Sequence, residues 1–304
     1  KVINYLTDEL LNENPSPTLR KYKGWGQVMR AYAYNYLMES YVDAYTNGGS
    51  SKLGLSIYTN YSINNPPVAR SSSKVTYDSI LKWSKDAVTL MKEAGVGYTE
   101  DITDIDLGVC NFNLLRVALC AGDWATAITA GNELTAQFST FIPEENYGWQ
   151  GSKTGDLDNP ISIPAAGNYF LNVIMGWPYA QATVQSVGST NIDPTCIWMN
   201  PFGKGDGGAG GAYNGVDQAL YNQMDDADYR KNLFATTAYG SYAYPPNGTV
   251  GEIPAWVNYK WANTYGVSGA AGEALSSSTV DQVGQYIMRA SEVYLMLAEA
   301  QYRS

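Results

Sequence analysis

Apolar positions recur at helical spacing in several stretches of the chain, and between those stretches the periodicity disappears. Met29, Ala33, Tyr36, Leu37 and Tyr41 follow one face of a helix predicted over 25–42, with Arg30 and Glu39 off that face. A second helix is predicted over 77–94, with Thr76 as N-cap, Asp78 in the first turn, Gly95 as the stop and Tyr77, Ile80, Ala87 and Met91 as its apolar stripe. A helical hairpin is predicted over 106–138. Its first helix ends at Ala121, Gly122 and Asp123 make the turn, and Asp123 caps a second helix over 124–137. A short helix over 216–224 leads into Asp225, Asp226 and Asp228, and the last helix is predicted to start near Gln285. Trp25, Trp83 and Trp124 fall on helices and are assigned to the core.

Helical signals vanish from 139 to about 215 and again over 239–282, where Pro, Gly, Asn, Trp and Tyr are frequent. Irregular stretches of this length within a compact domain are usually functional or mobile. The expected architecture is mostly α, a scaffold of helical pairs over 25–138 and 284–304 carrying a large irregular, loop-rich face over 139–283. The run from Leu115 to Ala127 looks like a tetratricopeptide-type repeat, with its small residues, turn glycine and aromatic. Such a unit buries its face only against stacked neighbours, which the helices near 30, 80 and 290 supply.

The composition narrows the chemistry. The 304 residues are 45% apolar and 16% charged, which is globular rather than disordered. At a net charge of −10 the chain gains little from a phosphate backbone, so nucleic acid is not an expected partner. There is no histidine, which removes Ser-His-Asp and Cys-His catalysis and histidine-based zinc sites. Cys110 and Cys120 sit ten residues apart on one predicted helix, a rise of about 15 Å that no disulfide bridges. With Cys196 they read as small buried hydrophobes. No apolar run approaches the length of a membrane span. The 25 Tyr and 8 Trp against 6 Phe favour partly wet, ring-bearing surfaces over a dry core alone.

Four segments in this order resemble the SusD/RagB family of surface glycan-binding lipoproteins of Bacteroidetes: Arg30 to Tyr34, Val75 to Ile80, the hairpin around Gly122-Asp123-Trp124, and Arg289-Ala290-Ser291-Glu292-Val293-Tyr294-Leu295-Met296-Leu297-Ala298-Glu299-Ala300. Asp228-Tyr229-Arg230-Lys231 is similar to the family's aspartate-arginine segment. Family members usually carry a longer N-terminal part starting at a lipidated cysteine, and helices beyond the Ala-Glu-Ala run. The chain is therefore expected to be a single SusD-like domain over 1–304, as a fragment. The resemblance implies a non-enzymatic protein, lipid-anchored on the outward face of the outer membrane. It would bind oligosaccharide and hand it to a SusC-like TonB-dependent transporter.

A sugar site needs flat aromatic faces for the apolar side of a pyranose and polar groups for its hydroxyls. The candidate rings are Trp149, Trp177, Tyr179, Trp198, Tyr213, Trp256 and Trp261 in irregular segments, with Tyr45 and Tyr58 bordering the loop after the first helix. Asn47, Lys52 and Asn200 are the candidate hydrogen-bonding partners. No cofactor is expected. A structural calcium could draw on Asp101, Asp104 and Asp106 or on Asp225, Asp226 and Asp228, but neither group has EF-hand spacing, and helix capping or a solvated turn is the preferred reading. Two alternatives stay open: a glycoside hydrolase on a helical scaffold, whose best carboxylate pair is Glu144-Glu145, and a tetratricopeptide-type peptide adaptor.

Overall fold

Pro17 at the first turn sets the start of the longest helix, because its fixed φ suits that position and its missing N–H costs nothing there. The computed structural model describes residues 2–60, 62–99, 101–141, 173–177, 216–228, 231, 239–244, 249–253 and 285–304. Short helices α1 (Val2–Tyr5) and α2 (Asp8–Glu13) precede α3 (Pro17–Tyr41). Then come α4 (Ser73–Glu93), α5 (Leu107–Ala121) and α6 (Trp124–Gln137). Further along are β1 (Val173–Trp177), α7 (Gln218–Gln223), β2 (Tyr239–Tyr244), β3 (Thr249–Ile253), β4 (Gln285–Arg289) and α8 (Ala290–Arg303).

The chain divides into two compact units. Lys1–Phe141, Asn172–Gly176 and Ile287–Ser304 form the first, Ile142–Leu171 and Trp177–Tyr286 the second. In the first unit, α3 packs on α4, α4 on α5, α5 on α6 and α6 on α8, a tetratricopeptide-like succession of helical neighbours. One core cluster joins α4, α5, α6 and α8 through Met91, Val109, Phe112, Leu115, Leu134, Val293 and Ala300, with Ile174 and Met288 added from the β1–β4 pair. A smaller cluster joins α3 to α4 and α5 through Ala31, Met38, Tyr77, Ile80, Trp83 and Val117. Fully burying a side chain such as Phe112 or Leu134 contributes on the order of 2 kcal/mol.

The α5–α6 hairpin follows its sequence signals closely. Asp106 caps α5, accepting from the Val109 N–H at 3.0 Å and the Thr99 N–H at 2.7 Å. Gly122 takes φ 73°, a conformation a side chain would strain, and lets the chain reverse. Asp123 then caps α6, accepting from Thr126 N–H at 3.2 Å and from its hydroxyl at 2.6 Å. The predicted stripe of α4 is buried at Tyr77, Ile80, Ala87 and Met91, and Gly95 follows the helix at φ 69°.

Elsewhere the structure departs from the pattern. The α3 stripe read from apolar spacing is the outer face: Met29, Tyr36, Leu37 and Tyr41 are all exposed. The buried face holds Lys23, Gly24, Gln27, Val28, Ala31, Asn35 and Met38. Polar residues are tolerated there because they have partners. Lys23 pairs with Asp8, Gln27 accepts from Arg30 at 2.7 Å, and Asn35 donates to Glu39 at 2.7 Å. The N-cap of α4 is Ser72 rather than Thr76, and Gln285–Arg289 is a strand paired with β1 rather than the first turn of the last helix. Of the three helical tryptophans, Trp83 is buried, while Trp25 and Trp124 are half-buried.

Ion pairs tie α8 to its neighbours. The Arg116 guanidinium on α5 lies 3.5 Å from Glu39 on α3 and 3.6 Å from Glu292 on α8. Burial pushes the Glu292 carboxyl above its ordinary value, with Arg116 opposing and Glu39 adding to the rise. Cys110 and Cys120 are free thiols on α5; burial raises both, Cys120 to about 12, so neither is a nucleophile near neutral pH.

Candidate functional site

Four of the candidate binding residues, Tyr45, Asn47, Lys52 and Tyr58, lie in the described loop between α3 and α4. The chain leaves α3 at Val42 with extended backbone. Ala44 C=O then accepts from the N–H groups of Asn47 at 2.9 Å and Gly49 at 3.0 Å, closing a tight turn before the 3-10 segment Gly49–Ser51. Asn47 and Lys52 are exposed, and the Lys52 carbonyl accepts from the first helical N–H of α4, at Ser73, at 2.9 Å.

The next stretch is clamped on α4. Leu53 and Ser72 form an antiparallel bridge, Gly54 N–H donates to Ser71 C=O at 2.7 Å, and Ser71 N–H donates to Leu55 C=O at 2.9 Å. Thr76 donates its hydroxyl to Ser72 C=O at 2.9 Å and accepts from Leu55 N–H at 3.2 Å. That seat requires glycine at 54, because a Cβ there would lie 2.2 Å from Thr76 Oγ1. Arg70 locks the same strand pair, donating to Gly54 C=O at 2.6 Å and Leu53 C=O at 3.1 Å.

The two candidate tyrosines hang from different scaffold rings. Tyr45 is half-buried and meets Tyr77 edge-on, with ring centroids 5.2 Å apart. Burial pushes the Tyr77 phenol well above its ordinary value, so it stays neutral. Tyr58 is exposed and is positioned through its backbone: its N–H donates to the Tyr34 hydroxyl at 3.0 Å, which in turn donates to Ser56 C=O at 3.2 Å. Tyr34 stacks edge-on against Trp83 at 5.2 Å, and the Arg30 guanidinium lies over the other ring partner at 3.9 Å. At the outer end, Asn4 donates to Thr59 C=O and Asn60, so α1 also holds the loop. Many backbone groups of this loop are thus satisfied by the scaffold, as a pre-formed ligand surface requires.

The loop's first turn lies at the same end of the first unit as the α5–α6 turn. A Cβ on Gly122 would lie 3.3 Å from Thr46 and 3.6 Å from Trp124, and Arg303 sits over the Trp124 ring at 5.7 Å. Trp124 is therefore a half-buried ring beside the candidate loop, which its helical position had assigned to the core. Of the other candidates, Trp177 ends β1. Trp149, Tyr179, Trp198, Asn200, Tyr213, Trp256 and Trp261 lie outside the described residues.

The carboxylates weighed for calcium have local partners. Asp101 accepts from the Thr103 N–H and hydroxyl, Asp104 pairs with Lys21 at 3.2 Å, and Asp106 is the α5 cap. Asp225 accepts from Ala227 N–H, and Asp226 pairs with Lys231. Among the described residues no cluster of three or more acidic or thiol groups could hold a metal ion, and no helix is long and apolar enough to cross a membrane.

This arrangement of helices has solved counterparts. A SusD-like carbohydrate-binding protein from Bacteroides vulgatus is 20% identical, with a TM-score of 0.59 over 94% of this chain and 52% of its own. The surface glycan-binding protein A from Bacteroides uniformis is 11% identical, with a TM-score of 0.55 over 99% of this chain and 58% of its own. A structure solved with xylogluco-oligosaccharide is 15% identical, with a TM-score of 0.56 over 99% of this chain and 56% of its own. The chain thus has the SusD-like fold and spans little more than half the length of these structures. No family model matches the sequence, and no curated protein matches it.

Proposed function

We propose that this chain belongs to a non-enzymatic, surface-exposed glycan-binding protein of the SusD type. It takes up oligosaccharide outside the cell and passes it to a SusC-like TonB-dependent transporter in the outer membrane, to which it is held close by a lipid anchor. The observation that carries this reading is the likeness over nearly the whole chain to SusD-like structures whose own ligands are carbohydrates. The clamped α3–α4 loop supports it, since a rigid shelf displaying Tyr45, Asn47, Lys52 and Tyr58 suits a ligand that needs rings and hydroxyl partners together. Trp149, Trp177, Tyr179, Trp198, Tyr213, Trp256, Trp261 and Asn200 complete the proposed site, within a single functional domain whose loop-rich face is 139–283.

Affinity electrophoresis through gels containing soluble polysaccharides tests the reading, paired with a reducing-end assay on each retarding glycan. Retardation by at least one glycan with no new reducing ends is the expected result. No retardation by any of them, or release of reducing ends, would overturn it.

A further inference from the structure

In the first unit, α4, α5 and α6 together line a cavity of about 270 Å³. Two ion pairs cross from α4 to α6, Lys85 to Asp123 at 3.2 Å and Lys92 to Glu133 at 3.2 Å, and the cavity lies between them along the helices. Its apolar wall is Val88 from α4, Leu114 from α5, and Ala125 and Ala130 from α6. Its polar groups are Asn111 on α5 and Thr126, Thr129 and Glu133 on α6. Asn111 is only 1% exposed, and both of its amide N–H groups are taken: Nδ2 donates to the Tyr98 hydroxyl at 2.9 Å and to Glu133 Oε2 at 3.0 Å. Its carbonyl oxygen has no donor among the described residues, although a buried polar atom ordinarily has a partner. Thr126 donates its hydroxyl to Asp123 at 2.6 Å and Thr129 donates to Ala125 C=O at 2.9 Å, so both keep only lone pairs to offer. Glu133 accepts from Lys92 at 3.2 and 3.3 Å and from Asn111, which leaves about one of its roughly four lone-pair sites open. Every polar group of the lining with capacity left is therefore an acceptor.

We propose that this cavity binds a primary alkylammonium chain, carried by a lysine side chain of a partner protein or by a free aliphatic amine. An ammonium brings three N–H donors and no acceptor, the complement of an acceptor-only lining. The Asn111 carbonyl supplies a neutral acceptor and the open position on Glu133 a charged one. The methylene stem packs on Val88, Leu114, Ala125 and Ala130, as the stems of long cationic side chains do on apolar surface. The volume is several times the roughly 30 Å³ share of one water molecule, so a stem of several carbons fits. An anion would meet Glu133 and find Lys85 and Lys92 already paired. Because Lys92 offsets much of the Glu133 charge, the expected dissociation constant is about millimolar. The site uses none of the residues proposed for glycan and stands independently of that reading.

The test uses the full chain at neutral pH and saturation-transfer NMR with three probes: Nα-acetyl-lysine methylamide, butan-1-amine and the uncharged Nα-acetyl-norleucine methylamide. Transfer to the methylenes of at least one amine is expected, with none to the norleucine derivative. Glu133→Gln removes the charged acceptor and should weaken amine binding about tenfold. Ala125→Phe fills the cavity from an exposed position and should abolish binding. Should Glu133→Gln fail to fold, Ala125→Phe decides. Tighter binding of the lysine derivative points to a partner's side chain and tighter binding of butan-1-amine to a free amine, and either supports the site. No transfer to either amine, equal transfer to the norleucine derivative, or amine binding unchanged by the substitutions overturns it.

Discussion

Tyr34→Phe removes a single oxygen, and the structure says what should follow. That oxygen accepts the Tyr58 N–H at 3.0 Å and donates to Ser56 C=O at 3.2 Å, so two loop contacts are lost. The ring remains, and with it the edge-on contact with Trp83 at 5.2 Å. Each hydrogen bond of this kind is worth about 0.5–1.5 kcal/mol, and the exposed Tyr58 side of the contact can be rescued by water, so the expected loss is about 1–2 kcal/mol. It should fall on the loop rather than on the core. Native-state hydrogen exchange reads it directly: the Tyr58 amide should exchange about 5- to 30-fold faster, the factor corresponding to that energy. The slowest amides of α4 and α5 should change little. Tyr34→Ala, which also abolishes the Trp83 contact, should lower global stability in urea as well. If the Tyr58 amide exchanges at its original rate in Tyr34→Phe, the loop is not held from α3 as described.

Gly54→Ala should destabilise the chain by about 1–3 kcal/mol in chemical denaturation, since its methyl must displace the Thr76 hydroxyl that holds Leu55. Asp106→Ala should cost about 2–4 kcal/mol, combining a lost cap with unpaired N–H groups at Thr99 and Val109, and Asp106→Asn should recover part of it. Glu292 gives a pH-dependent outcome. Its folded-state carboxyl titrates above the ordinary 4.5, so its stabilising contribution is complete below that pH and declines as pH rises through the folded value. Between those limits the thermal midpoint of Glu292→Gln should therefore fall less, or rise more, than that of the parent chain; parallel pH curves would contradict the assignment.

How much was legible in the sequence depended on whether the determinants were local. The α5–α6 hairpin could be read because Asp106, Gly122 and Asp123 act within a few residues of themselves. The buried face of α3 could not, because Lys23, Gln27 and Asn35 are acceptable inside only with Asp8, Arg30 and Glu39 beside them. Ser72 and Thr76 both carry hydroxyls suited to a cap, and only the fold shows Thr76 facing Gly54 and Leu55 instead. The strand at Gln285–Arg289 depends on β1, more than a hundred residues away in sequence. At the candidate site, Tyr45 and Tyr58 were visible as loop aromatics, but their anchors Tyr77 and Tyr34 looked like ordinary helix residues.

The central claim is that the chain binds glycan without cleaving it. Calorimetric titration of the full chain with a panel of neutral and acidic oligosaccharides tests it most directly. Saturable binding heat with at least one neutral oligosaccharide is expected, with recovery of that ligand intact at its original length. No binding heat anywhere in the panel, or recovery of shortened products, would contradict it.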